Sequence, residues 1–232
     1  MARSPDALTV DAQDGTLTYA QLDTYSTRLA LHLRAVLQDI SPDEIAPICF
    51  DKSIWLVVCM MGVSKAGMAY TTLDPSNPAE RLKAFMSTIT PRVMLVEEKF
   101  GEMFSSDGGM KYLGNIPEIC GVDDTSGKKT DLPLGLPSHL SYVCFTSGST
   151  GLPKVAQHTQ SSAISNVVHG HGYEAGSRVL NFASQAFAAS GSPQLHRDQR
   201  HCSARQRRRS DARSRNAKPH AHSSTLEMLE AI

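Results

Sequence analysis

Apolar positions along the first two thirds of the chain alternate between a helical and an extended period. Leu22, Tyr25, Leu29, Leu33 and Val36 are spaced by three and four, which places them on one face of a helix. Thr18 with Gln21 three residues later forms a capping box, so this helix is expected to open within Leu17-Thr18-Tyr19-Ala20-Gln21-Leu22. Residues 45–50 read as a strand, and Pro47 argues for an edge position because proline donates no hydrogen bond to a ladder. Asp51 is expected to cap a helix over residues 52–66, with Trp55, Val58 and Met61 or Gly62 on one face and Gly67 ending it. A strand over 69–73, a helix opened by Pro78 and running to about 87, and a strand over 92–96 complete the regular part. Residues 97–135 are rich in Gly, Asp and Lys and predict loop, with one short strand near Ile119. Strands are further expected over 142–146 and 178–183, with a short helix over 161–168 between them. Strand alternating with helix predicts an α/β fold: a parallel sheet with flanking helices.

The strand at 142–146 runs into Thr146-Ser147-Gly148-Ser149-Thr150-Gly151, and Pro153 and Lys154 follow. Four hydroxyls and two glycines allow a turn whose N–H groups converge, and such nests bind anions. Lys154 adds a mobile point charge suited to phosphate. Such a loop taken alone is most often a connector. It is not a Walker loop, because Lys154 follows Pro153 and precedes Val155. Strand, hydroxyl-rich turn and lysine together describe a polyphosphate cradle.

The whole string Leu140-Ser141-Tyr142-Val143-Cys144-Phe145 through Lys154 resembles the phosphate-binding signature of the adenylate-forming superfamily, and within it the adenylation (AMP-binding) domains of nonribosomal peptide synthetases. Leu17-Thr18-Tyr19 through Leu22 resembles that family's first core motif, with Gln21 in a glutamate's place. The segment 63–74, followed by Asp74-Pro75, Pro78, Arg81 and Leu82, resembles its second. The resemblance spans residues 8–190. It implies an incomplete N-terminal portion of the fold, with Thr146, Ser147, Gly148, Ser149, Thr150, Gly151 and Lys154 as the ATP-binding set.

Three departures bear on chemistry. Val155 stands where the family has glycine, and His158 lies four residues past the lysine rather than six, so the turn after the cradle must differ. By resemblance His158 would sit near the nucleotide. Phe187-Ala188-Ala189-Ser190 resembles the fourth motif, whose aspartate pairs with a substrate ammonium group; Ala188 can form no ion pair. Phe187 and Ala188 are thus the candidate acid contacts, and the acid lacks an α-amino group or is no longer selected.

Composition changes the picture near residue 190. The formal net charge is zero over 232 residues, yet residues 191–232 hold nine Lys/Arg against four Asp/Glu. That segment has almost no apolar residue before Leu226, so it cannot build a core and is expected to be disordered or a frameshifted or mis-spliced reading. Its arginine cluster at 205–209 also allows a nucleic-acid-binding reading, but no aromatic residue interleaves it to stack on bases. The five cysteines have no metal-type spacing and suit a reducing compartment. His158, His169 and His171 lack a carboxylate or thiol at ligand spacing, so no metal site is assigned. Lys65, in the last turn of its helix, reads as a dipole partner rather than a catalytic group. The first residues carry no apolar signal core, and the longest apolar run, 54–63, is half of the roughly 20 residues a membrane helix needs, so a cytoplasmic location is expected.

The resemblance implies a ligase of secondary metabolism. Such an enzyme uses ATP and Mg2+ to activate a carboxylic or amino acid as an acyl-adenylate, then passes it to phosphopantetheine on a carrier protein or to coenzyme A. The family's adenine and ribose contacts and C-terminal catalytic lysine follow its fourth motif and have no counterpart in 191–232, so no catalytic residue is assigned and the 232 residues are expected to be inactive alone. The alternatives are a non-catalytic nucleotide-binding fragment or pseudogene product, and a nucleic-acid-binding protein acting through the tail.

Overall fold

A computed structural model of the chain describes residues 4–104, 110–121, 132–133, 135–146 and 154–166, together with Arg178, Asn181 and Ser184. The strand expected at 178–183, apart from Arg178 and Asn181, and the whole of 191–232 lie outside these residues. Among the described residues the architecture is α/β. A six-stranded sheet is built from β3 (Ile45–Cys49), β4 (Ala69–Thr72), β5 (Val93–Val96), β6 (Lys111–Leu113), β7 (Leu140–Thr146) and β8 (Lys154–Thr159), in the order β6-β5-β3-β4-β7-β8. All neighbours run parallel except β7 and β8, which are antiparallel. The sheet is therefore mostly parallel, with an antiparallel edge that the alternation of elements did not foretell.

A separate hairpin, β1 (Leu8–Ala12) and β2 (Gly15–Thr18), precedes the sheet. Leu17 belongs to this hairpin and not to the helix. The signal was present: Asp14-Gly15 is a strong turn pair between apolar strands. Gly15 takes φ of 152°, which favours glycine. Val10 and Leu17 pair across the ladder and both turn inward against the core.

The helix α1 (Tyr19–Leu37) begins as expected. The Thr18 hydroxyl accepts from Gln21 N–H at 3.3 Å, and the Thr18 N–H donates to Gln21 Oε1 at 2.9 Å. Thr18→Ala should cost about 1 kcal/mol of unfolding free energy, read as a lower denaturation midpoint with unchanged slope. The buried stripe is Ser26, Leu29, Ala30, Leu33 and Leu37, while Leu22, Tyr25 and Val36 flank it half-buried.

The helix α2 (Ile54–Ala66) is capped by Ser53, whose hydroxyl accepts from Leu56 N–H at 3.1 Å, and not by Asp51. Asp14 accepts from Ile54 N–H at 3.0 Å, so the hairpin also helps to close this helix end. Asp51 lies outside the helix and pairs instead with Lys99 at 2.6 Å. Gly67 ends the helix in the left-handed region at φ 91°, as expected. Lys65 does not meet helix carbonyls of its own last turn: its ammonium donates to Asp23 Oδ1 at 2.6 Å and Thr27 Oγ1 at 3.0 Å, bolting α2 to α1.

β3 is interior, not an edge strand, despite Pro47. Ile48 O accepts from Leu73 on the β4 side and Cys49 O accepts from Glu97 on the β5 side. Alternation then turns the Pro47 nitrogen toward β5, and the β5 ladder starts only at Ile48. The missing donor falls where no ladder bond is made.

The helix α3 (Ala79–Ile89) follows Pro78, and β5 follows it. Residues near Ile119 are helical, in α4 (Ile116–Gly121), not extended. Pro117 lies in the first turn, where a missing N–H costs nothing, and Ile116 and Cys120, four apart, are the buried positions. A 3-10 helix (Glu98–Met103) and β6 occupy further parts of the stretch expected to be loop, of which 105–109, 122–131 and 134 lie outside the described residues. The helix α5 (Gln160–Ser165) starts one residue before the expected span; 167 and 168 lie outside the described residues.

The pleat divides the core in two. Ala46, Ile48, Tyr70, Val93, Leu95 and Tyr142 face α1, α2 and α4. Cys49, Leu73, Met94 and Val96 face α3 and the 3-10 helix. Cys49 and Cys59 are fully buried, whereas Cys144 is half-buried. Burial, with the Asp51, Asp74 and Glu97 carboxylates nearby, pushes the Cys49 thiol up to about 12, so it stays protonated and inert.

Candidate functional site

Because β3, β4, β5 and β7 are parallel, their carboxyl ends share one edge of the sheet, the edge at which open α/β sheets bind ligands. The cradle leaves β7 there. Thr146 and Lys154 are opposed in the last described rung of the β7–β8 ladder, and the Thr146 hydroxyl donates to the Lys154 carbonyl at 3.3 Å. Both residues are exposed. Ser147, Gly148, Ser149, Thr150 and Gly151 lie outside the described residues, as do Phe187 and Ala188. The structure thus brings the first and last members of the phosphate set together.

Two ring stacks hold this end of β7. Phe145 lies on Phe85 of α3, with centroids 4.1 Å apart and planes 11° apart, and the Arg81 guanidinium sits 5.5 Å from the Phe85 centroid. On the opposite face Tyr142 lies between Tyr70, at 5.9 Å, and His158, at 4.5 Å. His158 is therefore packed in a half-buried stack rather than standing open to solvent. Lys154 and His158 are four apart in a strand, so they share a face. A spacing of six would leave them on the same face, and the two-residue shortening preserves this parity.

The carboxyl ends of the neighbouring strands carry a polar cluster that sequence reasoning passed over. The Asp51 N–H donates to Glu97 Oε2 at 2.9 Å, and Lys99 bridges Asp51 at 2.6 Å and Glu97 at 2.8 Å. After β4, Asp74 Oδ1 accepts from the Ser76 N–H at 3.0 Å and the Ser76 hydroxyl at 2.6 Å. Its Oδ2 accepts from the Ser184 hydroxyl at 2.5 Å. Burial pushes the Asp74 carboxyl up, but the Ser184 and Ser76 hydrogen bonds and the Lys52 charge outweigh it, and the group titrates below its ordinary value. The Asp74-Pro75 string was the available signal for this cluster; nothing in the sequence singled out Lys52.

Among the described residues no group of three or more His, Cys, Asp or Glu is placed to hold a metal ion. No helix among them is long and apolar enough to cross a membrane.

A model of the family described as AMP-binding enzyme matches residues 1–195. The chain is 40% identical over 200 residues to nonribosomal peptide synthetase 5 of Gibberella zeae; that match takes in 80% of this chain and 2% of the relative. Its fold matches the N-terminal subdomain of NpsA from Klebsiella oxytoca, in complex with 3-hydroxybenzoyl-AMSN, at a TM-score of 0.69 and 20% identity, covering 83% of this chain and 50% of that one. The AMPPNP-bound form of the nonribosomal peptide synthetase FmoA3 matches at a TM-score of 0.68 and 21% identity, covering 83% and 21%. The chain therefore spans a small part of the synthetase and half or less of these solved chains, and it belongs to the AMP-binding enzyme family, with the fold of adenylate-forming enzymes represented in part.

Proposed function

We propose that this chain is the N-terminal part of an adenylation domain, over residues 8–190, in a cytoplasmic ligase of the nonribosomal peptide type, and that residues 191–232 stand outside that domain. The reading is carried by the pairing of Thr146 with Lys154 at the carboxyl edge of a mostly parallel sheet, closing a seven-residue connection, five of whose residues are Ser, Thr or Gly, at its base.

In this reaction a carboxylate oxygen attacks the α-phosphorus of ATP. A carboxyl O–P bond forms, the bridging α–β P–O bond breaks, and pyrophosphate leaves with the electron pair. Charge grows on the β-phosphate as the bond breaks, and preorganised donors must meet it. Thr146, Ser147, Gly148, Ser149, Thr150, Gly151 and Lys154 hold the β- and γ-phosphates: hydroxyls and turn amides donate, and Lys154 supplies the countercharge. Mg2+, which the resemblance implies, would take oxygen ligands from the nucleotide phosphates and supply countercharge there beside Lys154. Phe187 and Ala188 are the proposed acid contacts, and Ala188 offers no carboxylate to anchor an α-ammonium, so the acid has no such group or is no longer selected by it. The thiol sulfur of phosphopantetheine on a carrier domain, losing its proton, then attacks the acyl carbonyl; the C–S bond of the thioester forms, the acyl C–O bond to the phosphate breaks, and AMP leaves.

The test is a calorimetric titration of the full chain with pyrophosphate. Lys154→Ala should weaken binding by about 1.5–3 kcal/mol, the worth of a hydrogen bond to a charged group. Equal affinity in wild type and variant would remove Lys154 from the site.

A further inference from the structure

We propose that Asp74 and Lys52 are positioning residues: they clasp the chain at Ser184 and Asn181 and so fix where the acid-recognition segment begins, three residues later, at Phe187. The assignment of Phe187 and Ala188 to the acid rests on the function proposed above; the clasp itself rests on contacts.

The clasp spans a long sequence separation. Lys52 follows β3, and its ammonium donates to the Asn181 carbonyl at 3.0 Å, 129 residues away. Asp74 follows β4 and receives the Ser184 hydroxyl from 110 residues away. β3 and β4 are paired neighbours, so the two anchors sit side by side on the carboxyl edge and grip the returning chain at two points three residues apart. Asp74 is itself held rigid: the Ser76 amide and hydroxyl take its other oxygen, and Asn77 N–H and Nδ2 donate to its carbonyl at 3.0 and 3.1 Å. An anchor bonded in this way can transmit position, because neither its rotamer nor its backbone is free to follow the segment. Asn181 keeps its side-chain oxygen buried with no hydrogen-bond partner, a cost that a loose surface contact would shed by turning outward. Asp74-Pro75 thereby gains a role in placing the acid pocket, although it lies more than a hundred residues before it in sequence.

The experiment is amide hydrogen exchange on the full chain, read on peptides covering 178–186. Ser184→Ala removes the clasp bond from the returning segment without touching the sheet, and Asp74→Ala removes it from the sheet side. Each should speed exchange of these peptides roughly tenfold or more, as expected for loss of a charge-assisted bond, while peptides of α1 and β3 keep their rates. Asp74→Asn retains an oxygen acceptor for Ser184 and should restore part of the protection, which a general loosening of the fold would not produce. Unchanged exchange in Ser184→Ala would overturn the clasp, as would equal exchange in Asp74→Asn and Asp74→Ala. A parallel pyrophosphate titration reads the proposed function independently: a chain that binds none while the exchange pattern holds keeps the clasp and loses the phosphate assignment.

Discussion

Leu29→Ala should destabilise the protein by about 2–5 kcal/mol, and Gly62→Ala, harmful in the wild-type background, should become nearly neutral when combined with it. The two positions meet where α1 crosses α2. Leu29 is fully buried, and a Cβ at Gly62 would stand 2.7 Å from its Cδ2, 2.9 Å from its Cγ and 3.0 Å from its Cβ. The last two atoms belong to the root of the side chain and cannot swing away, so the helices themselves would have to part. Such overpacking costs about 1–3 kcal/mol, against the roughly 1 kcal/mol that alanine gains over glycine within a helix. Steric cost therefore wins in the wild type. Once Leu29 is shortened to alanine, the contacts with Cγ and Cδ2 are gone and only the 3.0 Å approach of the two Cβ atoms remains, so helix propensity offsets most of the steric cost. Urea unfolding of the four chains measures the cycle. Additive effects, with no change at position 62 between the two backgrounds, would show that the helices adjust without cost.

Phe85→Ala should lower stability by about 3–5 kcal/mol and also weaken pyrophosphate binding, although Phe85 lies on a different element from the cradle. Phe85 is buried, and it is the surface on which Phe145 rests. Phe145 immediately precedes Thr146, so the stack fixes the direction in which β7 reaches Thr146, the first of the residues proposed to hold phosphate. Removing it leaves a cavity beside Leu82, Met86 and Met94 and frees the end of the strand. Phe85→Leu keeps most of the volume but loses the ring stack. It should recover most of the stability and less of the binding, and this split separates packing from positioning. Chemical denaturation and titration of both variants provide the measurement; binding that tracks stability alone would leave Phe85 with a packing role only.

Much of this was decided by local chemistry. The α1 start, the Gly67 stop, the α3 start at Pro78 and the cores of β3, β4, β5 and β7 follow from capping groups, φ preferences and apolar runs that act within a few residues. The string that resembles the phosphate signature was legible for the same reason, since it is one short run ending at Lys154. The family and its incomplete span were likewise readable from motif order.

Tertiary structure decided what depends on distant partners. Pro47 sits in an interior strand because its missing donor faces a place where the β5 ladder has not yet begun, a matter of register between strands some fifty residues apart. Ser53 caps α2 while Asp51 turns to Lys99, a choice set by where β5 ends. Residues around Ile119 became helical because Ile116 and Cys120 could be buried together on one face against α1, with Arg28 donating to the Cys120 carbonyl at 2.7 Å. β8 turned antiparallel because the short connection after Thr146 leaves no length for a crossover. The grip of Lys52 and Asp74 on Asn181 and Ser184 exists only once the parallel sheet has gathered its strand ends on one edge. Local signals were enough for most of the long elements and for the family, because propensities and motifs act within a few residues. The pairing of distant groups needed the fold, because a contact more than a hundred residues long leaves no period or spacing in the chain to read.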